Sequence, residues 1–264
     1  KTLPFITIND ALINRNFSKL FPVPIVLGIE EYLEGPLLSY INELGYLSLG
    51  FESGQHNEKE AVSNCVSFIY LSLVFTSIMS VQNVIGYSCH YNQLKTQSKK
   101  LDDIYEIVYL YRIQNGENFR MKDGFESFES VRKSTVLATN NNHNITAKYS
   151  AKLFMPLYQS QGQEGFFIIK VIPPFFLKLS TLLRTLKIDG LLVCLPGISW
   201  KDHKKEVLRA NLKIARFFTR SFFHLLGYRN NKISDNHMLL YNRERTSKSA
   251  TYKNEEWYKK TLSF

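Results

Sequence analysis

Hydrophobic and polar positions follow two different periods along this chain, and the change falls near residue 100. Before it, short β-branched runs are separated by stretches with helical spacing. Residues 3–9 predict a strand, and residues 10–20 a helix, with Asn9 or Asp10 supplying the N-cap oxygen. Residues 23–29 predict a second strand. Leu37, Leu38, Ile41 and Leu44 then recur at helical spacing after Pro36, whose missing N–H costs nothing at a helix start, and Gly45 closes the element. A third apolar run ends at Glu52. Strand, helix, strand, helix, strand predicts a parallel sheet with crossover helices.

From residue 61 to residue 94 no Lys, Arg, Asp or Glu occurs. Residues 65–81 approach the lower length limit for crossing a bilayer. They hold several serines and a threonine and follow a strand in an α/β pattern, so the expectation is a helix buried against the sheet, with no membrane span. Beyond Lys99 and Lys100 the period becomes two. Residues 104–112, 130–138, 144–151 and 165–171 are short and β-rich, separated by turn residues such as Asn115-Gly116 and Asp123-Gly124. They predict a small antiparallel β domain that Pro173-Pro174 ends. Helices are expected over 175–186 and 201–226, with Gly227 as a stop. The division expected is 1–100, 101–173 and 174–264.

Charge changes the picture only in the last third. Residues 171–264 carry 18 Lys/Arg against 7 Asp/Glu, and residues 1–170 carry 15 against 16, so all of the net +10 lies beyond residue 170. A basic segment suits a polyanion, an anionic lipid or an acidic partner, although a solvated helical face is the plainer reading. Cys65, Cys89 and Cys194 are too few and too scattered for a disulfide framework or a thiolate zinc site. They favour a reducing, cytoplasmic setting. The chain opens at Lys1 without a methionine and close to a strand, which suggests a piece of a longer protein.

Candidate chemistry centres on Glu52. In an open α/β sheet, ligands sit beyond the carboxyl ends of strands, and an unpaired carboxylate is costly to bury for packing alone. The simpler expectation is a glutamate that faces a cleft as acid or base. His56 lies four residues on, as a possible ligand, proton relay or substrate contact. His203 and Glu206 have a His-x-x-Glu spacing that can bind zinc on a helix, but the cations between them oppose a dication, and chance is the preferred explanation. No Gly-rich phosphate loop, nucleophile elbow or pair of Cys-x-x-Cys motifs occurs.

Several segments in order resemble the succinylglutamate desuccinylase/aspartoacylase family, relatives of the zinc carboxypeptidases. They are Leu27-Gly28-Ile29-Glu30 with Glu34-Gly35-Pro36-Leu37, Phe51-Glu52-Ser53-Gly54-Gln55-His56, Gly124-Phe125-Glu126-Ser127-Phe128, Met155-Pro156-Leu157-Tyr158-Gln159-Ser160-Gln161-Gly162 with Gly165-Phe166-Phe167, and His224-Leu225-Leu226-Gly227-Tyr228. The resemblance implies a partial zinc-carboxypeptidase-like α/β domain, then a small antiparallel β domain over the site, then a basic helical C-terminal extension. It implies zinc-dependent hydrolysis of the amide bond of an N-acyl amino acid. Glu52, with Gly54, occupies the place of the family's catalytic glutamate, and His56, Tyr158 and Gln159 are candidate substrate contacts.

The chain departs from the family in one respect that matters. The zinc ligands of the family precede the segment that Lys1-Thr2-Leu3-Pro4-Phe5 resembles, so no metal ligand is expected here and the fragment alone is expected to be inactive. Asn14-Arg15 is a chance likeness to the family's substrate-binding motif. Residues 36–45 also lack the arginine of aspartoacylase, so a preference for acetylaspartate does not carry over. The partner implied is a small N-acyl amino acid, not nucleic acid. The alternative is a non-catalytic binding protein whose basic C-terminal segment holds an acidic partner.

Overall fold

The computed structural model describes residues 3–32, 37–55, 57–159, 161–201, 203, 205–215, 220–234 and 236–261. In chain order the elements are β1 (Phe5–Ile8), α1 (Leu12–Ser18), β2 (Ile25–Leu27), α2 (Leu37–Glu43), β3 (Gly50–Glu52), α3 (Lys59–Phe75) and α4 (Tyr87–Gln97). The β-rich stretch follows as β4 (Ile104–Arg112), β5 (Phe119–Met121), β6 (Ser130–Val131), β7 (Val136–Asn140), β8 (His143–Thr146), β9 (Ala151–Phe154) and β10 (Glu164–Val171). The last third holds α5 (Pro174–Thr185), β11 (Ile198–Trp200), β12 (Val207–Asn211), α6 (Arg220–Leu225), β13 (Tyr228–Ser234), β14 (His237–Asn242) and α7 (Glu256–Thr261). The fold is mixed α/β.

Among the described residues a seven-stranded sheet runs in the order β3-β1-β2-β4-β10-β9-β6. It crosses residue 100 without a break, because Val26 of β2 pairs in parallel with Tyr105 of β4. The expected all-parallel arrangement of the first three strands is not what forms. β3 pairs antiparallel with β1, placing Glu52 opposite Phe5 and Gly50 opposite Thr7. Hydrophobic spacing fixes which residues are strand and says nothing about strand direction, and an antiparallel edge strand is a common variation on α/β sheets. β4 was legible to the residue, since its apolar run starts after Asp102-Asp103 and stops at the Asn115-Gly116 turn, where Gly116 has φ +86°.

Two compact units divide the chain. One comprises Lys1–Thr7, Ser18–Tyr32 and Gly50–Val171; the other comprises Ile8–Phe17, Leu33–Leu49 and Ile172–Phe264. The first unit is held by rings in edge-to-face contact: Phe5 meets Phe154 at 4.9 Å between centroids, and Tyr105 meets Phe128 at 5.4 Å. Each such pair adds about 0.5–1.5 kcal/mol beyond the area it buries. A second cluster around Leu137, Leu153, Phe166 and Ile168 lies beneath the three-stranded sheet β5-β7-β8.

The second unit has its own core of Leu208, Leu240, Tyr228 and Phe223 under the antiparallel sheet β11-β12-β14-β13. This corrects the helix expected over 201–226. Residues 207–211 form a strand in which Leu208 and Ala210 are buried and Arg209 faces outward, and among the described residues of that range only α6 near its end is helical. α5 begins with Pro174 at its first turn, where proline's fixed φ suits a helix start.

The expected cap of α1 is replaced by a distant one. Asp10 spends its carboxylate on Arg15 and Arg184, and the Leu12 N–H donates instead to Glu244 Oε1 at 2.8 Å. Gly45 does end α2, with φ +85°, and a Cβ there would lie 2.2 Å from the Thr246 carbonyl oxygen. The helical spacing of Leu37 and Leu44 does not mark a core face, because both are exposed.

Candidate functional site

Glu52 is the last residue of β3, the edge strand of the large sheet. Its residue is half-buried, neither in a dry core nor on bulk surface. The antiparallel pairing alters its setting: it lies at the carboxyl end of its own strand but alongside the start of β1. The backbone on either side is pinned. The Phe51 ring stacks on Phe68 of α3 at 4.1 Å with the planes 2° apart, and Phe68 stacks in turn on Phe21. On the other side, Asn64 Nδ2 donates to the Ser53 carbonyl at 2.9 Å, and Asn64 Oδ1 accepts from Gln93 Nε2 at 3.1 Å. Gly54 then turns the chain with φ +130°, a conformation that side chains with a Cβ rarely adopt.

α3 explains how that support is built. Its apolar composition suggested a helix buried against the sheet; the structure buries Ala61, Asn64, Ser67 and Leu71 and leaves Val62, Val66 and Ile69 exposed. Its buried polar residues are paired: Asn64 as above, and Ser67 Oγ with His90 Nδ1 of α4 at 3.1 Å, with the His90 ring stacked on Tyr70. The pattern buries hydrogen-bonding groups where they serve the β3 end, which composition alone does not reveal. No helix among the described residues is long and apolar enough to cross a membrane.

His56 lies outside the described residues. Tyr158 is about half exposed, and its hydroxyl accepts from the Phe125 N–H at 3.0 Å while facing the Lys122 and Phe125 carbonyls at 3.1 and 2.9 Å. It thus ties the 122–125 turn; burial, only partly offset by the Phe125 hydrogen bond, raises its pKa. Gln159 is exposed beside it. His203 sits in a turn and not on a helix, which removes the geometry His-x-x-Glu needs for zinc. Among the described residues no group of three His, Cys, Asp or Glu side chains fits a metal ion, and Cys65, Cys89 and Cys194 are free and exposed. The described residues therefore do not fit a resident zinc.

Sequence inspection missed a buried ionic cluster in the second unit. Asp10 accepts from Arg15 Nη2 and from Arg184 Nη2, each at 2.7 Å. Arg15 thus has a structural task. Burial alone would raise the Asp10 pKa, but the Arg15 and Arg184 guanidiniums hold it well below the usual carboxylate range. A further part of the C-terminal positive charge is also consumed internally: Arg245 Nε donates to Asp189 Oδ2 at 2.8 Å, and the same oxygen accepts from the Tyr228 hydroxyl at 2.8 Å.

No protein-family model and no curated protein matches the chain. Among solved structures it is similar to the succinylglutamate desuccinylases of Vibrio parahaemolyticus (10% identity, TM-score 0.35, covering 65% of this chain and 50% of that one) and Vibrio cholerae (13%, 0.37, 65% and 49%). It is also similar to a succinylglutamate desuccinylase/aspartoacylase of Rhodobacter sphaeroides (11%, 0.44, 64% and 53%). The chain spans about half the length of these proteins. At such identities, and with each of these TM-scores below 0.5, the likeness assigns no activity.

Proposed function

We propose that this chain is part of an amidohydrolase that cleaves the amide bond of a small N-acyl amino acid, with Glu52 as general base and then general acid. The observation that carries the reading is Glu52 itself, a half-buried residue ending an edge strand whose flanks are fixed by the Phe51–Phe68 stack and the Asn64–Ser53 hydrogen bond. In this scheme Glu52 removes a proton from water as its oxygen bonds to the amide carbon. It returns that proton to the nitrogen as the C–N bond breaks, leaving a carboxylate and a free amino acid. Rigid flanks favour such a role, because a base must hold its geometry to within a fraction of an ångström.

Zinc belongs to this proposal only with ligands supplied from outside the described residues. It would lower the pKa of the attacking water and polarise the carbonyl. Without such ligands this chain is accordingly proposed to be inactive. The experiment is release of free amine from a panel of N-acetyl and N-succinyl amino acids by the protein as expressed in full. Release that stops on chelation and returns with zinc supports the proposal. A panel left intact by zinc-loaded protein contradicts it.

A further inference from the structure

α2 is built inside out for a helix that only packs. It buries Ser39 and Asn42 while Leu37 and Tyr40 stand 71% and 61% exposed. Burying polar side chains and exposing large apolar ones are both unfavourable, so the inward face has something polar to line. It lines a cavity of about 540 Å³ contained in the second compact unit. Arg229 of β13, Arg243 just past β14, Glu206 just before β12 and Asn9 just after β1 share that cavity, with the exposed Glu43 of α2 at its rim.

The lining is organised. Ser39 Oγ accepts from Asn9 Nδ2 at 3.4 Å and from Arg229 Nη1 at 3.3 Å. Asn9 is only 3% exposed, and its Oδ1 has no hydrogen-bond partner, so a buried acceptor beside the cavity awaits a donor. Two guanidiniums and two carboxylates share one space. A guanidinium has five donors and a carboxylate about four acceptor sites, so pairing among them does not exhaust either. A simple anion entering here meets Glu43 and Glu206, and a simple cation meets both arginines. A zwitterion meets both signs with opposite charges of its own.

We propose that this cavity binds a free α-amino acid, its carboxylate on Arg229 and Arg243 and its ammonium toward Asn9 Oδ1 and Glu43. Arginine suits the first task because its planar fork matches a carboxylate's two oxygens. The volume leaves room for a side chain beyond the zwitterionic head. The site is independent of Glu52, so it stands or falls separately from the hydrolase reading.

The test is calorimetric titration of the chain with L-glutamate, L-leucine and L-lysine, alongside acetate, methylammonium and inorganic phosphate as single-charge probes. The expected result is saturable binding of at least one amino acid, with each single-charge probe weaker by about tenfold or more. Arg229→Gln and, at the exposed rim where folding is not at stake, Glu43→Gln should each weaken it by about tenfold, with unchanged melting for Glu43→Gln. The proposal is overturned if no amino acid binds up to about 10 mM, if phosphate or acetate binds as tightly, or if Glu43→Gln binds like the parent chain.

Discussion

Asp10 and Arg184, 174 residues apart, meet through Oδ2 and Nη2 at 2.7 Å inside the second unit. Arg184 also donates to the Asp10 and His224 carbonyls at 2.6 and 2.7 Å, to the Leu225 carbonyl at 3.1 Å and to Glu244 Oε1 at 3.1 Å. All five guanidinium donors are thereby used, and the side chain is fully enclosed. The pair joins the start of α1 to α5, α6 and the segment after β14.

Removing one partner leaves the other charged and buried with part of its compensation gone, Asp10 keeping Arg15 and Arg184 keeping Glu244 as ionic partners. Arg184→Met and Asp10→Asn should each destabilise the fold by about 3–5 kcal/mol, read as the shift in urea midpoint with m unchanged. The double variant should cost less than the sum of the two. Additive losses would mean that the residues do not act as a pair.

The same pair sets an acid limit. Asp10 has a folded pKa below its unfolded value of about 3.9, so the unfolded chain binds the extra proton. The stabilisation is present above about pH 4 and fades as pH falls toward the folded pKa. Stability measured from pH 7 to pH 2 should fall less steeply in Asp10→Asn than in the parent chain.

Tyr158→Phe separates two tasks. Loss of the hydroxyl that holds the 122–125 turn should cost about 0.5–1.5 kcal/mol of stability and leave KM for an N-acyl amino acid within about twofold. A KM raised about tenfold with unchanged melting would make Tyr158 a substrate contact instead.

Asn64→Ala removes the anchor on the Ser53 carbonyl and leaves Gln93 without its partner. It should lower kcat by about ten- to a hundredfold with little change in KM, as expected for a residue that positions the base without touching substrate. A change confined to KM would contradict a positioning role.

Much of the fold was legible in local pattern. β4, β10 and α5 were found nearly to the residue because apolar spacing and turn residues agree there, as at Asn115-Gly116 and Pro173-Pro174. What failed was whatever depends on distant partners. β12 reads as part of a long helix until Leu240 and Tyr241 of β14 pair with Leu208 and Val207. The direction of β3 is set by its pairing with Phe5 and Ile6, and the polar faces of α2 and α3 are set by the groups they line. Glu52 stood out as a candidate because a carboxylate ending an apolar run is unusual. The Asp10–Arg184 pair was invisible because neither sequence neighbourhood mentions the other.

The central claim is that Glu52 moves the proton in amide hydrolysis, and Glu52→Gln tests it most directly. The variant keeps the side chain's size and removes its basicity, so the full-length protein should fold as before and lose turnover of an N-acyl amino acid by about 10²–10⁴-fold, with KM little changed. Turnover within about threefold of the parent, in protein with unaltered melting, would contradict the assignment.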